Sequence, residues 1–441
     1  MRLVFLGGYR EQGRSCLALE HGGRYYVFDV GVKKVYSGGK YGEPPFLGLI
    51  DAGKVEAVFV SHLHEDHLAA VPALVRRGFN GPIYMSAPTA ELGIKQWYKW
   101  TVLEEDGKPL FTEEDCDEAR KMVKTVGDGS VVTSGDVEVA FHQSGHALGS
   151  MYMEVSVGGW SMLYAADINR GSSVFRDPAP APSSYDVVIA NASYGDRVVD
   201  AGVGERRVAA LVLETVKRGG TALIPVTAVG RGQETLMILL RSREILGSGA
   251  PIFVEKSIAE GVERVAAYEG YVKPEFLEVA KRKPHLAEPF HVFSKDEVDE
   301  VARVKPSVVL ATDLMLMETS RRFFEKLRED PSSSVILTGY QAPGTFGRRL
   351  LDHREAGAFT FNGEVVRFSC RVYDVPVKMH FDVRDNVELV QRTLKEEGLV
   401  VLHHGEEPNS TRLALHLFNY VKPERVVVPQ VPSDLYLVRS G

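Results

Sequence analysis

The stretch FVSHLHEDHLAA (residues 59–70) sets three histidines and two acids into six positions: His62, His64, Glu65, Asp66 and His67. Before it, VEAVFVS is a β-type run; after it, LAAVPALVRRG carries apolar residues at helical spacing. The cluster therefore belongs on a strand-to-helix loop at the carboxyl end of a strand, where α/β folds put their chemistry. His62 and His64 are two apart, so on an extended loop they converge on one ion. Asp66 and His67 begin the following turn and point elsewhere, which suits two neighbouring metals better than one. Imidazole and carboxylate donors favour Zn²⁺ first and Mn²⁺ or Fe second. Without a cation, five ionisable groups packed this closely would repel one another or need solvent.

One cluster cannot complete two metal shells, and other strand ends offer donors. FHQSGHALGSM carries His146 in a Gly-flanked loop. MLYAADINRG carries Asp167 directly after an apolar run, and VVLHHGEE carries His403 or His404 just before a glycine.

The chain of 441 residues is too long for one ordinary core, and at about 150 residues per domain two or three domains are expected. No apolar stretch approaches the ~20 residues that span a bilayer. The start, MRLVFLGGYREQG, reads as a strand running into a Gly turn and lacks the apolar core of a secretion signal. The expectation is a cytoplasmic chain with no membrane partner. Cys16, Cys116 and Cys370 are far apart and form neither a disulfide framework nor a CxxC knot, so a metal falls to His and carboxylate. A net charge of −7 argues against coating nucleic acid by bulk charge. A local groove carrying bound metal can still be positive on an acidic protein.

The first half alternates short β runs with Gly turns. RLVFLGG, SCLALEHGGRYYVFDVG, GPIYMSA, VEVAFHQSG, MYMEVSVGGWSMLYAAD and YDVVIANAS read as strands, with hairpins at HGGR and VGGW. Helical patterns such as HLAAVPALVRRG lie between them, and the aromatics of QWYKW (96–100) read as core or domain-interface packing ahead of base stacking. This mixture implies two sheets with covering helices. From about Gly195 the rhythm becomes helix, strand, helix, strand, the mark of parallel βαβ units. After about Leu351 short strands return with one helix, VRDNVELVQRTLKEEG. The expected fold class is thus α/β. One domain (1–194 and 351–441) is a layered αββα sandwich, and the second (195–350) is an inserted parallel-sheet domain joined at two closely spaced crossings. The basic run KRKPH (281–285) reads as a solvated face.

SHLHEDH resembles the HxHxDH signature of the metallo-β-lactamase fold, and the resemblance runs along the whole chain. VFLGGYREQGRSCLAL and YYVFDVG resemble its first strands, with Asp29 at the first-motif aspartate. SGHALGSM and LYAADINRG resemble the third and fourth motifs. The inserted domain, YGDR, and GYQAPGTFGRRLL resemble the β-CASP branch, nucleases with a second domain set into the lactamase fold. Within it the chain is similar to archaeal relatives of the cleavage and polyadenylation specificity factor nuclease. Ribonuclease J stands a little further off, and the N-terminal KH domains of some archaeal forms are not expected here.

The resemblance implies that His62, His64 and His146 hold one zinc, that Asp66, His67 and His404 hold the other, and that Asp167 bridges them. It favours His404 over His403, because the family histidine directly precedes GE, and a histidine there goes with RNA substrates. His380, in VPVKMHFDV, matches a histidine that serves as general acid or phosphate contact, and Asp29 would accept hydrogen bonds behind the metal ligands. Arg348, in GRRLL, would reach substrate. The implied function is a two-metal ribonuclease, endonucleolytic, 5′–3′ exonucleolytic or both. It would hold single-stranded RNA in a cleft between the domains, and pairing of two copies is common among such relatives.

Two motifs depart from the family. NASYG places Asn191 where Glu or Asp is expected as partner of His380; the amide cannot stabilise an imidazolium by charge, so a lower pKa and a weaker general acid are expected. LATDLML, from Leu310, places Asp313 where a Ser-rich turn contacts phosphate. Two further readings share parts of this pattern: a catalytically weakened or inactive RNA-binding paralogue, suggested by Asn191 and Asp313, and a lactamase-fold small-molecule hydrolase, against which the inserted domain and HHGE speak.

Overall fold

The computed structural model describes residues 1–35, 42–105, 107–283, 288–314 and 316–438. Pro284 and His285 of the basic run and Met315 of LATDLML lie outside the described residues. The chain divides into two compact units. One comprises Met1–Arg170, Asp177–Val198 and Met379–Gly441; the other comprises Gly171–Arg176 and Val199–Lys378.

The first unit is built on two seven-stranded sheets. One runs Val123–Val126, Ile83–Ser86, Val55–Phe59, Arg24–Phe28, Cys16–His21, Arg2–Gly7, Ser433–Tyr436. The other runs Val131–Ser134, Val137–Gln143, Met151–Val157, Trp160–Ala165, Tyr185–Asn191, Leu394–His403, Val426–Val427. The HGGR and VGGW turns close antiparallel hairpins. Central strands are apolar on both faces because both are covered. Val4, Cys16, Ala18, Val27 and Val58 pack with Leu68, Leu74, Trp97 and Ala119 of the helical layer. The alternate residues face the second sheet, as Phe28 against Tyr164 (5.3 Å) and Phe59 against Phe141 (6.2 Å) show. Beyond that sheet, Leu163, Val188, Val400 and Leu402 pack with Leu389, Val390, Leu413 and Leu417 of the opposite helices. The layers are therefore helix, sheet, sheet, helix.

Two helices differ from the sequence reading. The pattern after His67 forms two short helices, Glu65–Leu68 and Val71–Arg76, with Pro72 in the first turn of the second. Proline lacks the N–H a continuous helix would use. The helix Val383–Thr393 stops before LKEEG, which instead opens the strand Leu394–His403.

The second unit is a six-stranded, all-parallel sheet in the order Phe290–Phe293, Ile252–Glu255, Ser307–Ala311, Thr221–Pro225, Ser334–Leu337, Arg371–Asp374. Its helices include Ala201–Lys217, Arg231–Arg241 and Glu318–Leu327. Two expectations are corrected here. The chain returns at Met379 rather than 351, because Arg371–Asp374 extends the parallel sheet beside Ser334–Leu337. The crossings number four, since Gly171–Arg176 belongs to the second unit. In that hexapeptide Val174 and Phe175 are buried, Phe175 bridges Val272, and Glu234 accepts from Ser172 Oγ and from Ser173 N (2.9 Å). Among the described residues no helix is long and apolar enough to cross a membrane.

Candidate metal centre

Strand ends of the first unit bring the candidate side chains together. Val55–Phe59 delivers His62 and His64, and the helix Glu65–Leu68 adds Asp66 and His67. His146 follows Val137–Gln143, Asp167 follows Trp160–Ala165, and His404 follows Leu394–His403. Donor atoms of His62, His64, His146 and Asp167 all lie within 4.8 Å of one another. The same limit groups Asp66, His67 and His404, and also Asp167, His380 and His404. Asp167 stands at the centre. Its Oδ2 is 3.7 Å from His62 Nε2, 3.4 Å from His146 Nε2 and 3.5 Å from His67 Nε2, while Oδ1 is 3.5 Å from His404 Nδ1.

The hydrogen bonds behind these rings decide which nitrogen carries a lone pair. His146 Nδ1 faces the Met379 carbonyl at 2.7 Å, an acceptor only, so Nδ1 holds the hydrogen and Nε2 is bare. Ser61 Oγ donates to Asp29 Oδ2 (2.8 Å) and therefore accepts from His62 Nδ1 (2.9 Å), which bares His62 Nε2. Asp29 also accepts from Ser61 N (2.7 Å), Tyr164 Oη (2.9 Å) and His67 Nδ1 (2.8 Å), which bares His67 Nε2. The two lone pairs of His62 and His146 both meet His64 Nδ1, at 2.9 and 3.1 Å, and one nitrogen cannot donate to both. The bare Nε2 of His67 meets the carboxylates of Asp66 and Asp167.

Charge follows the same division. Burial, helped by neighbouring His67, His64 and His146, pushes His62 well below the ordinary imidazole value. Burial and His146 bring His64 down to about 3. Burial also opposes charge on His67, but Asp167, Asp29 and Asp66 outweigh it and hold His67 well above that value. His404 is raised by Asp167 and by Asp66, whose Oδ2 is 3.0 Å from Nε2, against the same burial. Burial lowers His146 as well, so lone pairs on His62, His64 and His146 that refuse protons, beside two imidazoles and two acids that call for a cation, fit divalent metal. This His/Asp cluster is a metal-binding arrangement.

His380 is half-buried, stacks on His146 with ring centres 4.7 Å apart, and lies 3.4 Å (Nδ1) from Asn191 Nδ2. Asn191 is fully buried and donates to Asp167 Oδ1 (2.9 Å), where a motif acid would have met it as a like charge. His403, the alternative to His404, is turned away into the interior, 4.9 Å from the Tyr9 ring centre. Arg348 belongs to the second unit, where it pairs with Asp352 one helical turn on. Asp313 follows the parallel strand Ser307–Ala311 there. Sequence reasoning missed Ser61, Tyr164, Ser193 and the Met379 carbonyl. Of these only Ser61 carried a signal, as the residue before His62; Ser193 Oγ, 3.2 Å from His404 Nδ1, comes from a strand end distant in sequence.

Residues 9–194 match the model of the metallo-β-lactamase superfamily, and residues 233–350 match the β-CASP domain. The chain is 29% identical over 435 residues to endoribonuclease YSH1 of Eremothecium gossypii, covering 93% of this chain and 56% of the relative. It is 29% identical over 440 residues to transcription termination factor FttA of Pyrococcus abyssi, covering 94% and 68%. It is 29% identical over 428 residues to cleavage and polyadenylation specificity factor 73 of Drosophila melanogaster, covering 93% and 61%. The chain thus spans about half the length of the YSH1 proteins it matches. A crystal structure of a protein of unknown function from Enterococcus faecalis shares the fold, with a TM-score of 0.58 at 14% identity over 99% of each chain.

Proposed function

We propose, from the premise that this chain belongs to the metallo-β-lactamase superfamily and carries a β-CASP domain, that it is a metal-dependent nuclease hydrolysing phosphodiester bonds of single-stranded RNA. What supports this most is the convergence of His62, His64, His146, Asp66, His67 and His404 on Asp167, with their lone pairs aimed inward. The relatives, an endoribonuclease among them, point to RNA.

On this reading His62, His64 and His146 hold one divalent cation, Asp66, His67 and His404 hold a second, and Asp167 serves both. The donor set favours zinc, with Mn²⁺ as the alternative. Two such ions supply a nucleophilic water at neutral pH and offset phosphoryl charge. The protein's part is to hold the donors still. Asp29 anchors His67, Ser61 anchors His62 and the Met379 carbonyl anchors His146, so the rings stay aimed when an anionic substrate arrives. His380, partly exposed beside Asp167, would give a hydrogen to the departing sugar oxygen. Arg348 is assigned to substrate contact.

The test is cleavage of labelled single-stranded RNA by the zinc-loaded protein, with and without chelator, beside Asp66→Ala and His67→Ala. Internal and 5′ labels separate endonucleolytic from exonucleolytic products. Each substitution is expected to remove at least one cation by elemental analysis and to lower cleavage by 10²-fold or more, on the order expected when a metal site loses a ligand. Cleavage that survives both chelator and substitution would overturn the reading. RNA binding without cleavage would favour the binding paralogue, for which Asn191 is the specific observation.

A further inference from the structure

The Met379 carbonyl faces His146 Nδ1 at 2.7 Å, and the residue after Met379 is His380. One short length of backbone therefore sets both the aim of an assigned metal ligand and the place of the proposed hydrogen donor. Neither Met379 nor His380 belongs to a helix or strand, so no regular ladder of hydrogen bonds holds this backbone. Two single bonds pin it instead. Phe381 N donates to the carbonyl of Ile168, the residue after Asp167, at 2.8 Å. Met379 N donates to Tyr194 Oη at 2.9 Å. Met379 is buried, and an N–H left there without an acceptor is costly.

Tyr194 is well placed to act as a fixed point. Its turn is closed by Gly195 N donating to the Ala192 carbonyl (3.0 Å), and Arg197 N returns to the Tyr194 carbonyl (3.2 Å). The Arg197 guanidinium lies 5.7 Å from the centre of its ring, and the His380 ring meets it edge-on at 5.9 Å. We propose that Tyr194 is a positioning residue of the metal centre, whose hydroxyl holds the Met379 backbone and through it the aim of His146 and the place of His380. A site side chain works only when it is held within about 0.5 Å of its productive place. With the hydroxyl gone, the backbone before Phe381 loses one of its two pins. The carbonyl behind His146 then shifts, and cation affinity falls although every donor residue is still present. The effect on cation binding rests on the metal assignment of the proposed function; the hold of Tyr194 on Met379 does not.

Tyr194→Phe removes the one oxygen and keeps the ring that packs against Arg197 and His380. In full-length, zinc-loaded protein, competition with a chelator is expected to release the cations in two steps, and His146→Ala marks the step that belongs to His62, His64 and His146. Tyr194→Phe should weaken that step about 10-fold, the lower end of what losing a partner behind a ligand does, and leave the other step unmoved. A role in stability alone would move both steps or neither, and either result overturns the effect on the cation. The hold itself is read by hydrogen exchange in protein labelled with ¹⁵N-methionine. The Met379 amide, identified by the signal lost in Met379→Leu, should exchange about 10-fold faster in Tyr194→Phe. An unchanged rate overturns the proposal. Should Tyr194→Phe not fold, the wild type decides: a protected Met379 amide supports the hold, and exchange at the rate of a free amide overturns it. A wild type that binds no cation, with Met379 exchanging faster in the variant, sinks the metal assignment and leaves the hold of Tyr194 standing. Two cations bound equally tightly by both proteins does the reverse.

Discussion

Asp29 sits at φ 58°, a left-handed conformation that costs a non-glycine residue on the order of 1–2 kcal/mol. The turn aims its carboxylate at four donors: Ser61 N, Ser61 Oγ, His67 Nδ1 and Tyr164 Oη. Asp29→Ala would take the acceptor away from these four buried donor groups and free the His67 ring to rotate. The expected loss is about 3–5 kcal/mol, read as a lower urea midpoint. Cation affinity should weaken 10–100-fold, read by competition with a chelator. At this scale the donor types were legible, because HxHxDH places five ionisable groups where only a cation reconciles them. Asp29 itself was visible in VFDVG, but its donors come from positions 61, 67 and 164, and no short-range spacing reports such a convergence. Asn191 shows the same limit: its identity was plain, but the direction of its amide depends on the Ala166 carbonyl and the Ser193 N–H.

The helix Glu65–Leu68 owes its place to close backbone contact with residues 29–32. Val30 N donates to His67 O (2.8 Å) and Val32 N to Glu65 O (3.0 Å). A Cβ added at Gly31 would lie 1.8 Å from Asp66 O and 2.6 Å from His67 N. Gly31→Ala must therefore push the helix away. A loss of about 1–3 kcal/mol is expected in thermal unfolding, with release of the cation assigned to Asp66 and His67 ahead of the other. The loop before Ser15 is held by Glu11, which accepts from Arg14 (2.7 Å) and Lys33 (2.8 Å). Burial raises the Glu11 carboxyl, but Arg14 and Lys33 outweigh it and leave it below its ordinary value. Its contribution to stability is therefore complete above the unfolded value near 4.3 and is lost as pH falls through the folded one. Glu11→Gln should flatten the dependence of the urea midpoint on pH below about 4. Element types were readable from periodicity, whereas their ends were not: Pro72 splits a pattern that periodicity alone would run through, and LKEEG scores as helix yet is drawn into the sheet beside Tyr185–Asn191.

The division into a layered sandwich and a parallel-sheet unit was legible because helices of the second unit recur between its strands, a rhythm only crossover connections produce. Arg371–Asp374 carried no such mark, being as short as its neighbours. Gly171–Arg176 carried none either: six residues are too few for a period, and its membership is set by Glu234. Burial pushes that carboxyl up, against the hydrogen bonds from Ser172 and Ser173. Ser172 Oγ accepts from Val174 N (3.0 Å) and Phe175 N (2.7 Å), so its own hydrogen needs an acceptor, which Glu234 supplies. Glu234→Gln would turn an NH₂ toward one of the two serines. It should cost about 1–3 kcal/mol and make residues 171–176 a new site of cutting in limited proteolysis.

The hexapeptide has a practical corollary for anyone building chimaeras. Exchanging the β-CASP unit between relatives by splicing only at 198 and 378 would leave the host's own 171–176 stretch to dock on a foreign surface. Such grafts should be poorly soluble unless the donor's matching six residues travel along, so the transplantable module is two separate pieces of chain and not one.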